Sequence, residues 1–212
     1  MRFADRRRAG EQLGRAVADL EPANAVVYAL PRGGVPVGFE VARAVSCPLD
    51  ILIVRKVGVP FQPELAMGAI AEGGVMVKNQ DVIDAVGVGD SGFAQVAALE
   101  QDELDRRVAL FRGETRQIDP AGRTAVVVDD GLATGSTALA AVTVLRQQGA
   151  SAVWLAVPVA PASPLGRLEG AVDRLVILYR PRGFGAVGSW YRDFTQTTND
   201  EVRDLLARSR LA

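Results

Sequence analysis

Two adjacent acids, Asp129 and Asp130, close a short apolar run, Ala125–Val128. Gly131-Leu132 follows, then five small or hydroxylated residues, Ala133, Thr134, Gly135, Ser136 and Thr137. The run has the composition of a buried parallel strand. Leu139, Val142 and Leu145 then recur at helical spacing, and Gly149 offers a stop. The order is therefore strand, acidic pair, small-residue loop, helix N-terminus. Unpaired N–H groups at a helix start suit a phosphate monoester. Gly135 permits close backbone approach, and three hydroxyls add donors. Carboxylates repel a phosphate but accept from a diol, or help hold a metal beside it. A ligand with a phosphate at one end and vicinal hydroxyls nearby is a ribose 5-phosphate. A phosphate loop of the Gly-x-x-x-x-Gly-Lys-Ser/Thr kind is excluded, because this stretch holds no Lys, and Gly-x-Gly-x-x-Gly is absent from it. The plain alternative is a strand–turn–helix with solvated aspartates.

The elements that must position these groups follow from patterning. Leu13, Ala16, Val17 and Leu20 stripe a first helix, with Arg6–Arg8 expected on its solvated face. Ala25–Leu30 reads as a buried strand, followed by Pro31-Arg32-Gly33-Gly34 and a helix from Val35 to about Val45. That loop suits an anion through exposed N–H groups and the Arg32 fork. Leu49–Val54 is a third strand, ending in Arg55-Lys56. Residues 55–80 are weakly patterned and read as a hairpin-like excursion, the kind of long segment that serves as a lid. A long helix is expected over Phe93–Arg112, and strands over Ala152–Val159 and Arg174–Tyr179. Thr198-Asn199-Asp200-Glu201 is a capping box for a closing helix. Alternating strands and helices predict an α/β, doubly wound, mainly parallel sheet, with ligands at the carboxyl ends of its strands. All three candidate loops then converge on one edge. The tail is rich in Gly and aromatics. Phe184 and Trp190 are candidates to stack on a flat base as a hood, against the alternative of packing on the core.

Whole-chain properties narrow the classes. With 212 residues and 49% hydrophobic content, one domain over 1–212 is expected, with a core over about 22–180 and a tail over 181–212. Basic residues (22 Arg, 2 Lys) balance 25 acids, which argues against a general nucleic-acid or membrane-surface binder. The chain has no His, so no His-based triad or metal site. A lone Cys47 excludes an internal disulfide framework and fits a reducing cytoplasm. No signal peptide or membrane-length apolar run is visible.

The stretch VVVDDGLATGST resembles the phosphoribosyl pyrophosphate (PRPP) motif of type I phosphoribosyltransferases. The resemblance implies that Asp129 and Asp130 take the ribose diol and that Ala133–Thr137 wraps the 5-phosphate. It implies pyrophosphate binding for Arg32, Gly33 and Gly34, a loop that in this family often contains a strained peptide. Arg55 and Lys56 would face pyrophosphate, and Glu72 the base or leaving group, as catalytic residues, with Glu64 a second candidate carboxylate. Val187-Gly188…Asp193-Phe194 resembles the C-terminal hood of the hypoxanthine-guanine branch, one residue longer. That branch has a third acid where Ala133 stands, as in adenine- and uracil-type loops. Mg²⁺ is the implied cofactor, held mostly by substrate and indirectly by Asp129 and Asp130. PRPP and a nucleobase-like molecule are the implied ligands, and a homodimer is common in the family. The expected reaction is salvage-type transfer of a 5-phosphoribosyl group to a nitrogen nucleophile. A non-catalytic PRPP or nucleotide sensor and a phosphohydrolase remain open alternatives.

Overall fold

A computed structural model describes residues 2–112 and 115–211, apart from the side chain of Glu64. Five strands form the central sheet: β1 (Ala25–Ala29), β2 (Leu49–Ile51), β6 (Thr124–Val128), β7 (Ala152–Val159) and β8 (Arg174–Tyr179). Their order is β2-β1-β6-β7-β8, and every neighbouring pair is parallel. β1 and β6 are buried at every residue, which explains why they read as unbroken apolar runs. Successive side chains leave on opposite faces. Val27, Ala29, Val126 and Val128 pack with Leu13 and Val17 of α1 (Arg6–Ala18) and Val41 of α2 (Gly34–Val45). Val26, Tyr28, Ala125 and Val127 pack on the other side with Ala141, Val142 and Leu145 of α5 (Ser136–Gln147). The sheet is thus covered on both faces, as the alternating pattern predicts.

The segment expected as a hairpin-like excursion is a second sheet. β3 (Val54–Val59), β4 (Gln62–Ala71) and β5 (Val75–Lys78) run antiparallel in that order. The strand predicted over Leu49–Val54 is divided: β2 stops at Ile51, and Val54 opens β3 in the other sheet. After α3 (Gln80–Val86), the long helix α4 (Asp90–Arg112) packs under this sheet. Val57, Val59, Met67 and Ile70 share one buried cluster with Phe93, Ala97 and Leu104. Gly68 is required there, since a Cβ would meet Val77 O at 2.3 Å and Phe93 Cε2 at 2.7 Å. A short α6 (Arg167–Ala171) precedes β8, and α7 (Asn199–Ser209) closes the chain. Its N-cap is Thr198, whose Oγ1 accepts from the Glu201 N–H at 3.1 Å, as the capping box predicts.

Candidate active site

The chain leaves β1 through α2 toward β2, and leaves β6 through α5 toward β7, on opposite sides. The β1/β6 boundary is therefore a topological switch point, where the two departing loops part and leave a crevice. Pro31–Gly34 follows β1 and Asp129–Thr137 follows β6, so both predicted loops stand at this crevice. Leu30 N donates to Val128 O at 2.9 Å and Gly34 N to Leu30 O at 3.0 Å, which fixes one loop beside the other. Their closeness demands glycine. A Cβ on Gly34 would meet Val128 O at 2.7 Å, and one on Gly33 would meet Asp130 Oδ2 at 2.0 Å. The peptide between Pro31 and Arg32 is cis.

A cavity of about 800 Å³ gathers Pro31, Arg55, Lys56, Asp129 and Thr137. Its remaining wall is largely apolar and includes Ile53, Val59, Val96 and Leu99. Arg55 lies on β3 and is paired with Glu100 of α4, with Nε 2.7 Å and Nη2 2.6 Å from Oε2. Glu100 was not foreseen from the sequence, where it is one of several acids on an amphipathic helix. Arg32 is at its expected loop, but its Nη1 donates to Asn199 Oδ1 at 3.4 Å, at the start of α7.

The acidic pair is the electrostatic centre of the crevice. Asp129 Oδ1 accepts from the Asp130 N–H at 2.8 Å. Asp130 Oδ2 accepts from Arg6 Nε at 2.8 Å. Among the described residues, Asp129 Oδ2 and Asp130 Oδ1 have no protein hydrogen bond, yet neither is sealed from solvent. Burial, and then the Asp130 charge, pushes Asp129 well above the usual carboxylate range. Burial also raises Asp130, with Arg6 opposing it. The Tyr191 hydroxyl donates to Asp130 O at 2.5 Å. Arg6 corrects the reading of Arg6–Arg8 as a solvated run, which holds for Arg7 and Arg8. A usable signal was present: Arg6 shares the helical face of Ala9, Leu13 and Val17, all buried, whereas Arg7 and Arg8 point outward.

The loop after the acids ends at Gly135, which has φ +74° and no side-chain cap for α5. A left-handed φ suits glycine at that position. Ala133, Thr134 and Thr137 are exposed, Ser136 is half-buried, and the Thr134 and Ser136 hydroxyl oxygens lie 3.0 Å apart. The first-turn N–H groups of α5 thus open beside hydroxyls, five residues beyond the acids. A second cavity of about 690 Å³, lined by Thr134, Gly135, Ser136 and Leu168, flanks the same loop.

Four residues singled out in the sequence are engaged by other protein groups. Glu72 is buried and gripped by Arg112, with Nε–Oε2 at 2.6 Å and Nη2–Oε1 at 2.7 Å. Arg112 also donates to Asp50 Oδ1 at 2.8 Å and to Ile51 O at 2.7 Å. This cluster ties the second sheet to β2 and α4, so Glu72 is structural and does not line the crevice. Phe184 and Trp190 stack on each other, with centroids 6.5 Å apart, and Trp190 Nε1 donates to Phe184 O at 2.8 Å. Tyr179 meets Trp190 edge-on at 5.3 Å. The tail therefore spends these rings on its own packing. Asp193 is exposed, its Oδ1 taken by the N–H and hydroxyl of Thr195. The side chain of Glu64 lies outside the described set.

Comparison with known proteins gives the same assignment. The phosphoribosyl transferase domain family matches residues 7–178. A Mycobacterium tuberculosis protein, Rv0571c, whose name provisionally assigns it as a phosphoribosyl transferase, is 50% identical over 207 residues. That match covers 98% of this chain and 47% of the relative, so the chain spans about half the length of the curated relative. The crystal structure of TT1426 from Thermus thermophilus is 40% identical, with a TM-score of 0.89, covering 98% of this chain and 99% of that one. A hypoxanthine-guanine phosphoribosyltransferase from Bacillus anthracis shares the fold at 10% identity and a TM-score of 0.50, covering 91% of this chain and 93% of its own. With this switch-point site, and a family match over most of its length, the chain belongs to the phosphoribosyl transferase domain family.

Proposed function

We propose that the protein transfers the 5-phosphoribosyl group of PRPP to a nitrogen nucleophile, a nucleobase in a salvage-type reaction, and releases pyrophosphate. One observation carries the reading. Among the described residues, each of two adjacent carboxylates keeps one oxygen without a protein hydrogen bond, and both stand on the loop that leads to the start of α5, which has no side-chain cap. Two acceptors match the two hydroxyls of a ribose diol. The helix start with Thr134, Ser136 and Thr137 matches the 5-phosphate. Arg55 and Lys56 line the same cavity as Asp129 and supply positive charge for a pyrophosphate.

In this reaction the bond from C1 to the pyrophosphate oxygen breaks and its electron pair leaves with pyrophosphate. A C1–N bond forms, and the nitrogen proton passes to solvent. The chain contributes positioning and stabilisation of the leaving group's charge. Among the described residues no three Asp, Glu, Cys or His side chains gather as a metal cage. Asp129 and Asp130 instead suit Mg²⁺ whose other ligands are substrate oxygens. Bound there, Mg²⁺ would offset phosphate charge. The β3–β5 sheet, whose β3 residues line the cavity, would cover it and exclude water during transfer.

The self-packing of Phe184 and Trp190 favours a second reading, a PRPP sensor with no base platform. Incubation of the protein with PRPP, Mg²⁺ and a panel of nucleobases separates the two. The transferase reading expects base-dependent pyrophosphate release, and PRPP binding with no release under any base would establish the sensor. A cytoplasmic homodimer belongs to the same proposal, supported by the lone Cys47 and by family habit. No single helix among the described residues is long and apolar enough to cross a membrane.

A further inference from the structure

The N-terminal helix reaches into the site through one side chain. Asp5 caps α1, its Oδ1 accepting from the Arg8 N–H at 2.7 Å, and this sets Arg6 on the buried face of the first turn. From there Arg6 crosses 124 positions of sequence to Asp130, and their side chains are only 11% and 14% exposed. Its guanidinium is held on two further sides. Nη1 donates to Thr195 O at 2.7 Å, and the Phe194 ring lies under Cζ at 3.8 Å. Helix start, tail and switch point are thus joined at one planar group.

We propose that Arg6 is a positioning residue of the phosphoribosyl site, fixing Asp130 by Oδ2 so that Oδ1 is presented to the ribose diol. The inference rests on the transferase reading of the site. Its first support is geometric. Arg6 takes a single oxygen of Asp130 and leaves the other without a protein partner, among the described residues. A bidentate grip would have used both. The carboxylate cannot swing, because Arg6 holds its tip and the Tyr191 hydroxyl holds the Asp130 carbonyl. Gly33 sits against the pair, with the position of an added Cβ 2.0 Å from Asp130 Oδ2 and 3.3 Å from Arg6 Nε.

Charge gives the second support. The Arg6 guanidinium lies against this pair of neighbouring, largely buried carboxyl groups and is itself held by Thr195 O and the Phe194 ring, so its charge-assisted hydrogen bond orients Asp130. Among the described residues, Arg6 is the cation that forms an ion pair with this acidic pair. The fork is needed as well as the charge. A lysine in place of Arg6 would keep the attraction but could not bond Asp130 and Thr195 while lying flat on Phe194. Arg6 does not touch the reacting atoms in this account. It acts through Asp130.

The test compares a ligand with a diol and one without. Wild type, Arg6→Met and Arg6→Lys are titrated calorimetrically with PRPP and with inorganic pyrophosphate, each with Mg²⁺. Arg6→Met should weaken PRPP at least about tenfold, the scale of a lost partner to a buried charge, while pyrophosphate stays within about threefold. Arg6→Lys should fall between Arg6→Met and wild type for PRPP. Two results would overturn the proposal: PRPP affinity unchanged in Arg6→Met, or an equal loss for both ligands, which would mark Arg6 as structural. Failure of the wild type to bind PRPP would appear before any variant is compared, and would defeat the transferase reading itself.

Discussion

The acids at the end of β6 are shaped by what each oxygen already does. One oxygen of Asp129 accepts from the Asp130 N–H and one of Asp130 from Arg6, and among the described residues the other oxygen of each has no protein hydrogen bond. Gly33 bounds that arrangement from the other loop. Gly33→Ala places a methyl 2.0 Å from Asp130 Oδ2, so the carboxylate must move. PRPP affinity is expected to fall at least about tenfold with the fold retained, since a displaced polar group forfeits its designed contacts. Titration alongside far-UV circular dichroism checks this, and unchanged affinity would mean that the carboxylate position is unimportant. A second residue-scale expectation concerns Cys47. Burial pushes its thiol up to about 11, so at pH 8 it is overwhelmingly neutral. A higher pKa means less thiolate at any lower pH, so alkylation should be roughly a hundredfold slower than for a free cysteine at pH 8. The rate should climb as pH approaches 11. Mass spectrometry after iodoacetamide treatment reads this, and rapid labelling at pH 8 would contradict it.

At the scale of elements, the second sheet carries Arg55 and Lys56 and must be held in register with the switch point. Its inner face supplies Met67 and Ile70 to the cluster under α4, and its far end is fastened by the Arg112–Glu72–Asp50 group. The Arg112 side chain is 3% exposed. Arg112→Met would leave two carboxylates buried without their partner, and is expected to destabilise by about 3–5 kcal/mol, seen as a lower urea midpoint. Met67→Ala is expected to cost about 2–5 kcal/mol through the cavity it opens. A neutral result for both would show that this sheet folds independently of α4. The same paired acid explains why Glu72 misled. An acid in a Gly-rich turn reads as surface or site, and nothing local announces that Arg112, 40 residues on, will enclose it. By contrast β1, β6 and the start of α5 were legible, because buried parallel strands and helix starts are written in contiguous residues. Phe184 and Trp190 were legible as aromatics but not as partners, since stacking depends on how a glycine-rich tail folds back.

For the molecule as a whole, the parallel order of the sheet decides where function sits. Opposite departures from β1 and β6 create the crevice, and the loops that the sequence marks as anion- and diol-binding both open there. The contribution of α1 was hidden because it joins residues 6 and 130 across almost the whole fold. Tyr191 extends that closure from the tail. Tyr191→Phe removes the hydroxyl that holds the Asp130 carbonyl, and is expected to weaken PRPP several-fold while costing about 1 kcal/mol of stability. Urea unfolding and titration on the same sample separate the two effects.

The most direct test of the central claim is calorimetric titration of PRPP with Mg²⁺ into the wild type and into the double variant Asp129→Asn/Asp130→Asn. Saturable binding to the wild type and its loss in a folded double variant are expected, because in the proposed reaction the ribose diol engages Asp129 and Asp130. Absence of binding to the wild type, or equal binding to both proteins, would contradict it.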